Sequence, residues 1–291
     1  MDVWHLREFW QYGVAALTLV LSVVASGHAL LYKHDSRAAV AWVGLVWLTP
    51  LVGAVLYFIF GVNRIHRRAV DLRGQLDPYR HDIAVAPCDS ARMEDHLPNG
   101  VRHLAPIARV VGVVARRALL PGNRVTPLVN GDNAFPAMLE AIAGAQESIA
   151  LSTYIFDRDE AGLAFAEALG EAVRRGVDVR VLIDATGTRY SWPSILGVLR
   201  REKVPHARFL PAFPLWQLMS MNLRNHRKLL VIDGHTGFTG GMNIRAGNLL
   251  LRKPRSPVQD IHFRVEGPVV AHLQEVFADD WNFTTRESLR G

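Results

Sequence analysis

The stretch NHRKLLVIDG at residues 225–234, followed by GGMN at residues 240–243, decides both the fold and the chemistry of this 291-residue chain. The apolar run LLVI within it is bounded by polar residues and predicts a short strand. Side chains two positions apart share a face of a strand, so His226 and Lys228 should point toward one ligand. Asp233 is an odd number of residues from His226 and should face the other way, which favours a structural or turn role.

Six residues of this stretch stand in the fixed spacing H-x-K-x4-D-x6-G-G-x-N: His226, Lys228, Asp233, Gly240, Gly241 and Asn243. The set resembles the HKD signature of the phospholipase D superfamily, with glycine at the second G position, where many members have serine. A single His-x-Lys pair is common by chance, whereas the complete spaced set is specific. The alternative interpretation is a basic strand-turn-strand with a buried histidine. The resemblance implies a phospholipase D-like α/β sandwich and identifies the His, Lys, Asp and Asn positions as catalytic.

The chemistry of these residue types suits phosphodiester transfer, which needs a nucleophile, positive charge at the phosphoryl oxygens and an acid for the leaving alkoxide. His226 can act as nucleophile or acid. Lys228 is a compact cation for a phosphate oxygen, and Asn243 can donate a hydrogen bond to the same group. Gly240 and Gly241 permit close approach of the backbone and are predicted to contact the substrate.

The resemblance extends to STYIF at residues 152–156, DIHFRVEGP at residues 260–268 and FADDW at residues 277–281. Together with the apolar N-terminus, these stretches are similar to bacterial cardiolipin synthases of the phospholipase D type. The match covers almost the whole chain but only the first half of such an enzyme, which carries two HKD signatures where this chain has one. The resemblance implies a two-step mechanism through a phosphohistidine, with no metal and no cofactor. It also implies that Asp260 holds the other ring nitrogen of His226; a plain strand-edge carboxylate is the alternative.

Two apolar segments occupy the N-terminus, at residues 11–32 and 38–60. A helix as long as the second segment spans about 34 Å at 1.5 Å per residue, and a bilayer core is about 30 Å thick. We therefore predict that residues 1–63 form a two-helix transmembrane hairpin, with a kink at Pro50. A cleaved signal peptide is the alternative for the first segment, and a buried core helix is the alternative for the second.

The charge distribution points to a membrane surface. The net charge of +6 favours an anionic partner, either nucleic acid or acidic lipid. Arginines directly after the second apolar segment place the termini and the downstream domain in the cytoplasm under the positive-inside rule. Residues 64–120 are rich in arginine and proline, which predicts a basic linker along the membrane with one amphipathic helix within residues 101–120. The single cysteine, Cys88, excludes an intrachain disulfide and a cysteine-based metal cluster.

Strands and helices alternate through residues 121–291, which predicts an α/β fold with a mainly parallel sheet. Ligands of such sheets bind at the carboxyl ends of strands. Tyr154 and Asp184 fall near such ends and could line the site, and Tyr154 is predicted to contact the substrate; both could also be ordinary polar residues beside loops. The apolar segment 213–221 could dip into the bilayer, although core packing explains it nearly as well.

Three functions remain open from the sequence. The first is a membrane-bound phosphatidyltransferase of the bacterial inner membrane, or its N-terminal half, acting on an anionic, phosphatidylglycerol-like phospholipid. The second is a dimeric phosphodiesterase, a phospholipase or nuclease, with one signature per chain; the predicted membrane helices disfavour nucleic acid. The third is an inactive, truncated remnant. Because the implied mechanism uses two histidines, a two-fold-related copy of the chain or a separate second half would have to supply the other one.

Overall fold

The structure is a computed structural model that describes residues 3–33, 35–62, 88, 97–115, 119–210 and 224–289. The chain divides into two compact units, an N-terminal helical unit and an α/β unit. Most of the predicted basic linker and the apolar segment 213–221 lie outside the described residues.

The N-terminal unit contains helices α1 (Val3–Tyr32), α2 (Ser36–Leu48) and α3 (Pro50–Leu56), followed by a π-helical turn at Tyr57–Gly61. Within the described part of the chain, Trp10–Tyr32 is the one helical stretch long and apolar enough to cross a membrane. The predicted second helix over residues 38–60 is interrupted at Thr49, next to the predicted kink at Pro50, so neither piece alone is long enough to span a bilayer and the two-helix hairpin is not confirmed. Proline lacks the N–H that would continue the hydrogen-bond ladder, and α3 begins at Pro50.

Small and aromatic side chains join the helices of this unit, in which α1 packs against both α2 and α3. Ala25 and Tyr57 are fully buried at its centre, where a small side chain lets the backbones approach closely. The hydroxyl of Tyr57 lies 2.7 Å from Nδ1 of His28. The indole N–H of Trp47 donates to the hydroxyl of Ser26 at 3.1 Å. Two polar contacts therefore tie α1 to the segment after it.

The second unit starts, in the described residues, with a 3-10 helix at Asn99–Leu104 and helix α4 (Ala105–Ala115), which lies in the range where the sequence predicted a helix. Its strands are β1 (Arg124–Val129), β2 (Ser148–Thr153), β3 (Asp178–Asp184), β4 (His206–Phe209), β5 (Leu229–Ile232), β6 (Thr236–Gly240) and β7 (Ile261–Glu266). Its other helices are α5 (Asn130–Gly144), α6 (Glu160–Arg174), α7 (Leu196–Arg201) and α8 (Val270–Thr285).

The seven strands form one mixed sheet in the order β1-β7-β6-β5-β2-β3-β4. The β2–β3 and β3–β4 pairings are parallel, and the other four pairings are antiparallel. The predicted α/β class is therefore confirmed, but the prediction of a mainly parallel sheet is wrong. Parallel pairing requires crossover connections, and β2, β3 and β4 are the neighbouring strands that crossover helices link. A tight turn joins β5 to β6 as a hairpin, and β7 pairs antiparallel with both β6 and β1.

Helices cover both faces of the sheet, and the short strand β5 shows how the core is divided. Leu230 and Ile232 belong to the cluster under α5, α6 and α7. Leu229 and Val231 belong to the cluster under α8, together with Phe277. All four residues of β5 are buried, which explains why this strand is a continuous apolar run rather than an alternating one.

One edge of the sheet, which we call the site edge, collects the ends of five strands. Strands β2 and β3 end there in parallel, the first residue of β5 pairs with Ser152 of β2, and β6 ends there beside the start of β7. The strand register therefore brings together residues that are far apart in the sequence: Tyr154, Asp184, His226, Lys228, Gly240, Gly241, Asn243 and Asp260.

Candidate active site

The centre of the site is a direct contact between His226 and Lys228, which precede β5 at the site edge. The Nζ atom of Lys228 lies 3.2 Å from Nδ1 of His226 and donates to the carbonyl oxygen of the same residue at 2.8 Å. The imidazole of His226 is exposed, whereas the side chain of Lys228 is buried. An ammonium group can only donate, so Nδ1 of His226 accepts and Nε2 carries the proton of the neutral ring.

Tyr154 directly follows β2 and packs on both members of this pair. Its ring centroid lies 4.5 Å from that of His226, and Nζ of Lys228 lies 5.3 Å from the tyrosine ring. The second distance is within the range of a cation–π contact. The prediction that Tyr154 lies at the site is therefore confirmed in position, while its contact with substrate stays a prediction.

Burial and mutual repulsion keep the positive charge of this pair low. Burial lowers the pKa of Lys228 to about 8, although the nearby carboxylates of Asp260 and Asp184 act in the opposite direction. Partial loss of hydration, and then the charge of Lys228, lower the pKa of His226. At neutral pH the site thus holds a neutral imidazole beside an ammonium group that is mostly protonated and loses its proton as the pH rises through about 8. This is a suitable state for a nucleophile next to a phosphate-binding cation.

Two buried carboxylates fix the backbone that leads into the signature. Asp184, at the end of β3, accepts from the backbone N–H of Asn225 at 3.0 Å. The side-chain amide of Asn225 donates to Asp280 of α8 at 3.1 Å, and Arg227 forms an ion pair with the same carboxylate. Asp184 is fully buried, so it lies beneath the site as an anchor instead of lining it. These bonds hold the residues on either side of His226.

Asn243 and the two glycines shape the side of the site formed by β6. The side-chain oxygen of Asn243 accepts from the backbone N–H of Ile155 at 3.1 Å, which leaves its NH2 group as the available donor. A Cβ atom on Gly240 would lie 2.6 Å from the carbonyl oxygen of Ile261, and a Cβ atom on Gly241 would lie 2.4 Å from both carboxylate oxygens of Asp260. Gly240 thus permits the β6–β7 pairing, and Gly241 leaves room for Asp260.

Asp260 lies at the site but is not hydrogen-bonded to His226 in the described structure. Its carboxylate accepts from the neighbouring backbone N–H of Ile261 at 2.7 Å, and its charge acts on Lys228 and His262. The ammonium group of Lys228 occupies the Nδ1 position that the resemblance assigned to Asp260. The expected contact between Asp260 and His226 is therefore not formed, because Lys228 lies next to Nδ1 of His226.

Asp233 lies at the other end of β5, away from His226. Its carboxylate accepts three backbone N–H bonds, from Gln146 at 2.9 Å and from Glu147 and Ser148 at 2.8 Å each. Burial raises the pKa of Asp233, but these three bonds together outweigh burial and leave it below its ordinary value. Asp233 is also in the left-handed region, at φ 48°, in the turn between β5 and β6. The contacts agree with the structural or turn role that its spacing from His226 favoured.

Sequence reasoning missed His262, which is fully buried in β7 opposite Gly240. Its Nδ1 atom has no hydrogen-bond partner among the described residues. Burial lowers the pKa of His262 to about 4, and the charge of Asp260 opposes this shift. Side chains two apart on a strand share a face, so the Asp-x-His spacing at the start of β7 was the available signal. Among the described residues, no three His, Cys, Asp or Glu side chains are grouped to hold a metal ion.

Comparison with known families follows the two units of the structure. Residues 138–281 match the family described as cardiolipin synthase, PLD-like domain, and residues 20–61 match the one described as phospholipase D-nuclease N-terminal. The resemblance to the phospholipase D superfamily is therefore confirmed. The first match includes the HKD signature, the strands β2 to β7 and all but the last turn of α8. Helix α4 and strand β1 lie between the two matched regions.

Curated relatives of this chain include cardiolipin synthase A of Pseudomonas aeruginosa, which is 33% identical over 271 residues. That alignment covers 91% of this chain and 54% of the relative. Cardiolipin synthase A of Pseudomonas putida is 30% identical over 285 residues, which cover 98% of this chain and 59% of the relative. The chain thus spans about half the length of the curated relatives it matches.

Two solved structures are similar to this chain. Nuc from Salmonella typhimurium, a phospholipase D family member, has a TM-score of 0.44 at 22% identity and covers 58% of this chain and 100% of its own. NucT from Helicobacter pylori has a TM-score of 0.43 at 16% identity and covers 56% of this chain and 98% of its own.

Proposed function

We propose that this chain is a phosphatidyltransferase lobe of the cardiolipin synthase kind, which transfers a phosphatidyl group from one anionic phospholipid to a hydroxyl group of another. The observation that carries the proposal is the contact between Lys228 and His226 in a domain that matches the cardiolipin synthase family. We propose His226 as the nucleophile, with Lys228 and Asn243 binding the phosphoryl oxygens. Tyr154 would line the pocket for the phosphate group.

The proposed reaction has two displacements at phosphorus. A ring nitrogen of His226 attacks, the bond from phosphorus to the headgroup alcohol breaks, and that alcohol leaves with a proton from an acid. The hydroxyl of the second phospholipid then attacks the phosphohistidine, and the phosphorus–nitrogen bond breaks. The positive charge of Lys228 stabilises the charge that develops on the phosphoryl oxygens in both steps.

Substrate binding would also change the proton arrangement on His226. A phosphate oxygen competes with Nδ1 for the ammonium group of Lys228 and would draw that group away from the ring. Nδ1 could then carry the ring proton and donate a hydrogen bond to a carboxylate. Asp260 is the nearby candidate, because its charge already acts on Lys228. Nε2 would become the free nucleophile. In this proposal Gly241 is required as glycine because it leaves space for Asp260 to move.

A second histidine must protonate the leaving alcohol, and an apolar surface on β1 and β7 supports its delivery by another lobe. Val125 and Val129 on the edge strand β1 are more than half exposed, and Ile261, which pairs with Val129, is also exposed. Directly paired residues share a face of a sheet, and this face is the one that α8 covers further along, at Val265. We propose that a second copy of the chain, or the missing half of a longer relative, covers this surface.

The proposed substrate requires a membrane, and the N-terminal unit is suited to one. Trp10–Tyr32 has the length and composition of a membrane span, and the broken segment after it packs on α1. We propose that the two segments form a multi-pass anchor in the bacterial inner membrane, with the α/β unit on the cytoplasmic side. A reporter fused after residue 62 checks that orientation. In inverted vesicles the cytoplasmic face is on the outside, so added protease should digest the reporter.

The test uses the full chain reconstituted in vesicles that contain labelled phosphatidylglycerol. We expect labelled cardiolipin and an acid-labile phosphohistidine, and we expect His226→Ala to abolish both. His235→Ala is the matched control, since His235 is an exposed histidine in the β5–β6 turn, away from the site edge. The assay is run with the chain alone and with the second half of a relative added.

The products separate the candidate functions. Cardiolipin supports the transferase, whereas phosphatidic acid alone would mean that water is the acceptor and that the chain is a phospholipase. If neither product nor phosphohistidine forms with the chain alone or with an added second half, the proposed chemistry is wrong and the chain is an inactive lobe.

A further inference from the structure

We propose that the site edge is itself a docking surface for an anionic phospholipid bilayer, and that it binds through two loops beside His226. Loop A comprises residues 190–193, after β3, and loop B comprises residues 249–257, between β6 and β7. The inference rests on the proposed function, because it explains how a phospholipid headgroup reaches the site while its acyl chains stay in the membrane.

The tips of these loops carry the two most exposed large apolar side chains among the described residues 119–210 and 224–289. Trp192 in loop A is 96% exposed, and Leu251 in loop B is 84% exposed. Single exposed apolar residues are common on protein surfaces and need no explanation by themselves. Here the position is informative, since both residues stand at the same edge of the sheet as the proposed nucleophile.

Loop A connects to the site through a short series of aromatic rings. The ring of Tyr190 lies 6.1 Å from that of Tyr154, which in turn lies 4.5 Å from the ring of His226. The hydroxyl of Ser191 accepts from the backbone N–H of Arg158 at 3.0 Å and holds the loop to the start of the segment before α6. This hydrogen bond fixes loop A, and the loop places Trp192 at the rim of the site.

The β6–β7 connection, which contains loop B, leaves the site edge after Gly240 and returns to it at Ile261. It also reaches the start of α5, which begins at the site edge because β1 ends beside Ile261. The carboxylate of Asp132, in the first turn of α5, accepts from the backbone N–H of Leu251 at 3.2 Å. Three exposed cations follow this leucine directly: Arg252, Lys253 and Arg255. The guanidinium of Arg252 is 3.8 Å from Glu160, a weak and exposed pair that leaves it accessible.

The combination of apolar tips and adjacent cations fits a lipid surface better than a protein partner. Tryptophan prefers the interface between the headgroups and the acyl chains, and clustered basic residues bind anionic headgroups. The buried core of a protein–protein interface is depleted of charge, whereas here three cations stand next to the leucine. The first apolar helix of the same chain is also long enough to cross a bilayer.

Labels on the two loops test this docking directly, with the full chain in vesicles. Cys88→Ser removes the single cysteine, and Trp192→Cys or Leu251→Cys then carries an environment-sensitive fluorophore. His235→Cys is the control, since it is exposed at the opposite end of β5. We expect brominated lipids in phosphatidylglycerol vesicles to quench the two loop labels at least about twofold more than the control label.

Equal quenching at all three positions would overturn the proposal. Energy transfer between labelled copies without lipid quenching would also overturn it, and would assign the loops to a protein interface. This readout needs no catalysis, so it remains decisive if the proposed function fails.

A rate measurement then tests the consequence for the reaction. With Trp192→Ser and Leu251→Ser combined, we expect the ratio of the rate on vesicles to the rate on a soluble short-chain phosphatidylglycerol to fall about tenfold, equivalent to about 1.4 kcal/mol of lost docking. An unchanged ratio would contradict the docking role. A wild-type chain that turns over neither substrate would contradict the proposed function alone.

Discussion

Replacing Asp233 with asparagine separates a structural role from a catalytic one at the third position of the HKD signature. The substitution keeps the side-chain shape and a residue type that tolerates the left-handed turn conformation at φ 48°. It removes the negative charge and turns one acceptor oxygen into an NH2 donor. That donor would face the backbone N–H of Gln146, which now donates to Oδ2 of Asp233 at 2.9 Å.

The expected loss follows from the three bonds that the carboxylate accepts. A hydrogen bond to a charged group contributes about 1.5–3 kcal/mol, and a neutral one contributes about 0.5–1.5 kcal/mol. The bonds from Gln146 and Glu147 are exposed, so water replaces most of their contribution, whereas the bond from Ser148 is partly buried. We therefore expect about 2 kcal/mol of destabilisation, which lowers the melting temperature of a domain of this size by about 4–8 °C.

The pH dependence gives an independent check on the same bonds. Because the pKa of Asp233 is depressed in the folded chain, its stabilising effect is present above the ordinary aspartate pKa of about 4 and is lost as the pH falls through the lower, folded value. The difference in melting temperature between the wild type and Asp233→Asn should thus close in acid. Turnover, measured about 20 °C below the lower melting temperature, should stay within severalfold of the wild type. Lost turnover with an unchanged melting temperature would refute the structural role.

Two further predictions follow from the site geometry. Affinity for a short-chain phosphodiester, whose own charge is constant, should fall as the pH rises through about 8, because Lys228 loses its proton there. Calorimetric titration of the wild type and of Lys228→Gln measures this affinity. A wild-type affinity that does not change with pH would contradict the prediction. Gly240→Ala should destabilise the chain by about 2–4 kcal/mol, because the new Cβ atom would meet the backbone of β7 at 2.6 Å. Gly144→Ala is the control, since its Cβ atom meets nothing within 4 Å, and equal melting temperatures for the two variants would show that β6 and β7 can separate at little cost.

The sequence was most informative for features that depend on neighbouring residues. The apolar run between Lys228 and Asp233 predicted a strand, and the structure has β5 over the same residues. Asp233 lies at the far end of β5 from His226 and binds backbone N–H groups, which agrees with the structural or turn role that its spacing favoured. The spacing of the whole signature also identified the residue types that could handle a phosphate group.

The site needed longer-range information. The burial of Lys228 and the action of the Asp184 and Asp260 charges on it depend on groups that β3 and β7 bring to the start of β5. The anchoring of Asn225 by Asp280 of α8 was likewise invisible in the sequence, because the two residues come from different elements.

The sequence by itself determined which segments are apolar, which alternate as strands and helices, and which residue types stand in a spacing suited to phosphodiester chemistry. Tertiary structure decided the direction of the strands, the burial of Lys228 and the exposure of Trp192 beside the site. The physical reason is range. Propensity and periodicity act over a few neighbouring residues, whereas strand pairing, burial and the pKa of Lys228 depend on groups that folding brings together from distant parts of the chain.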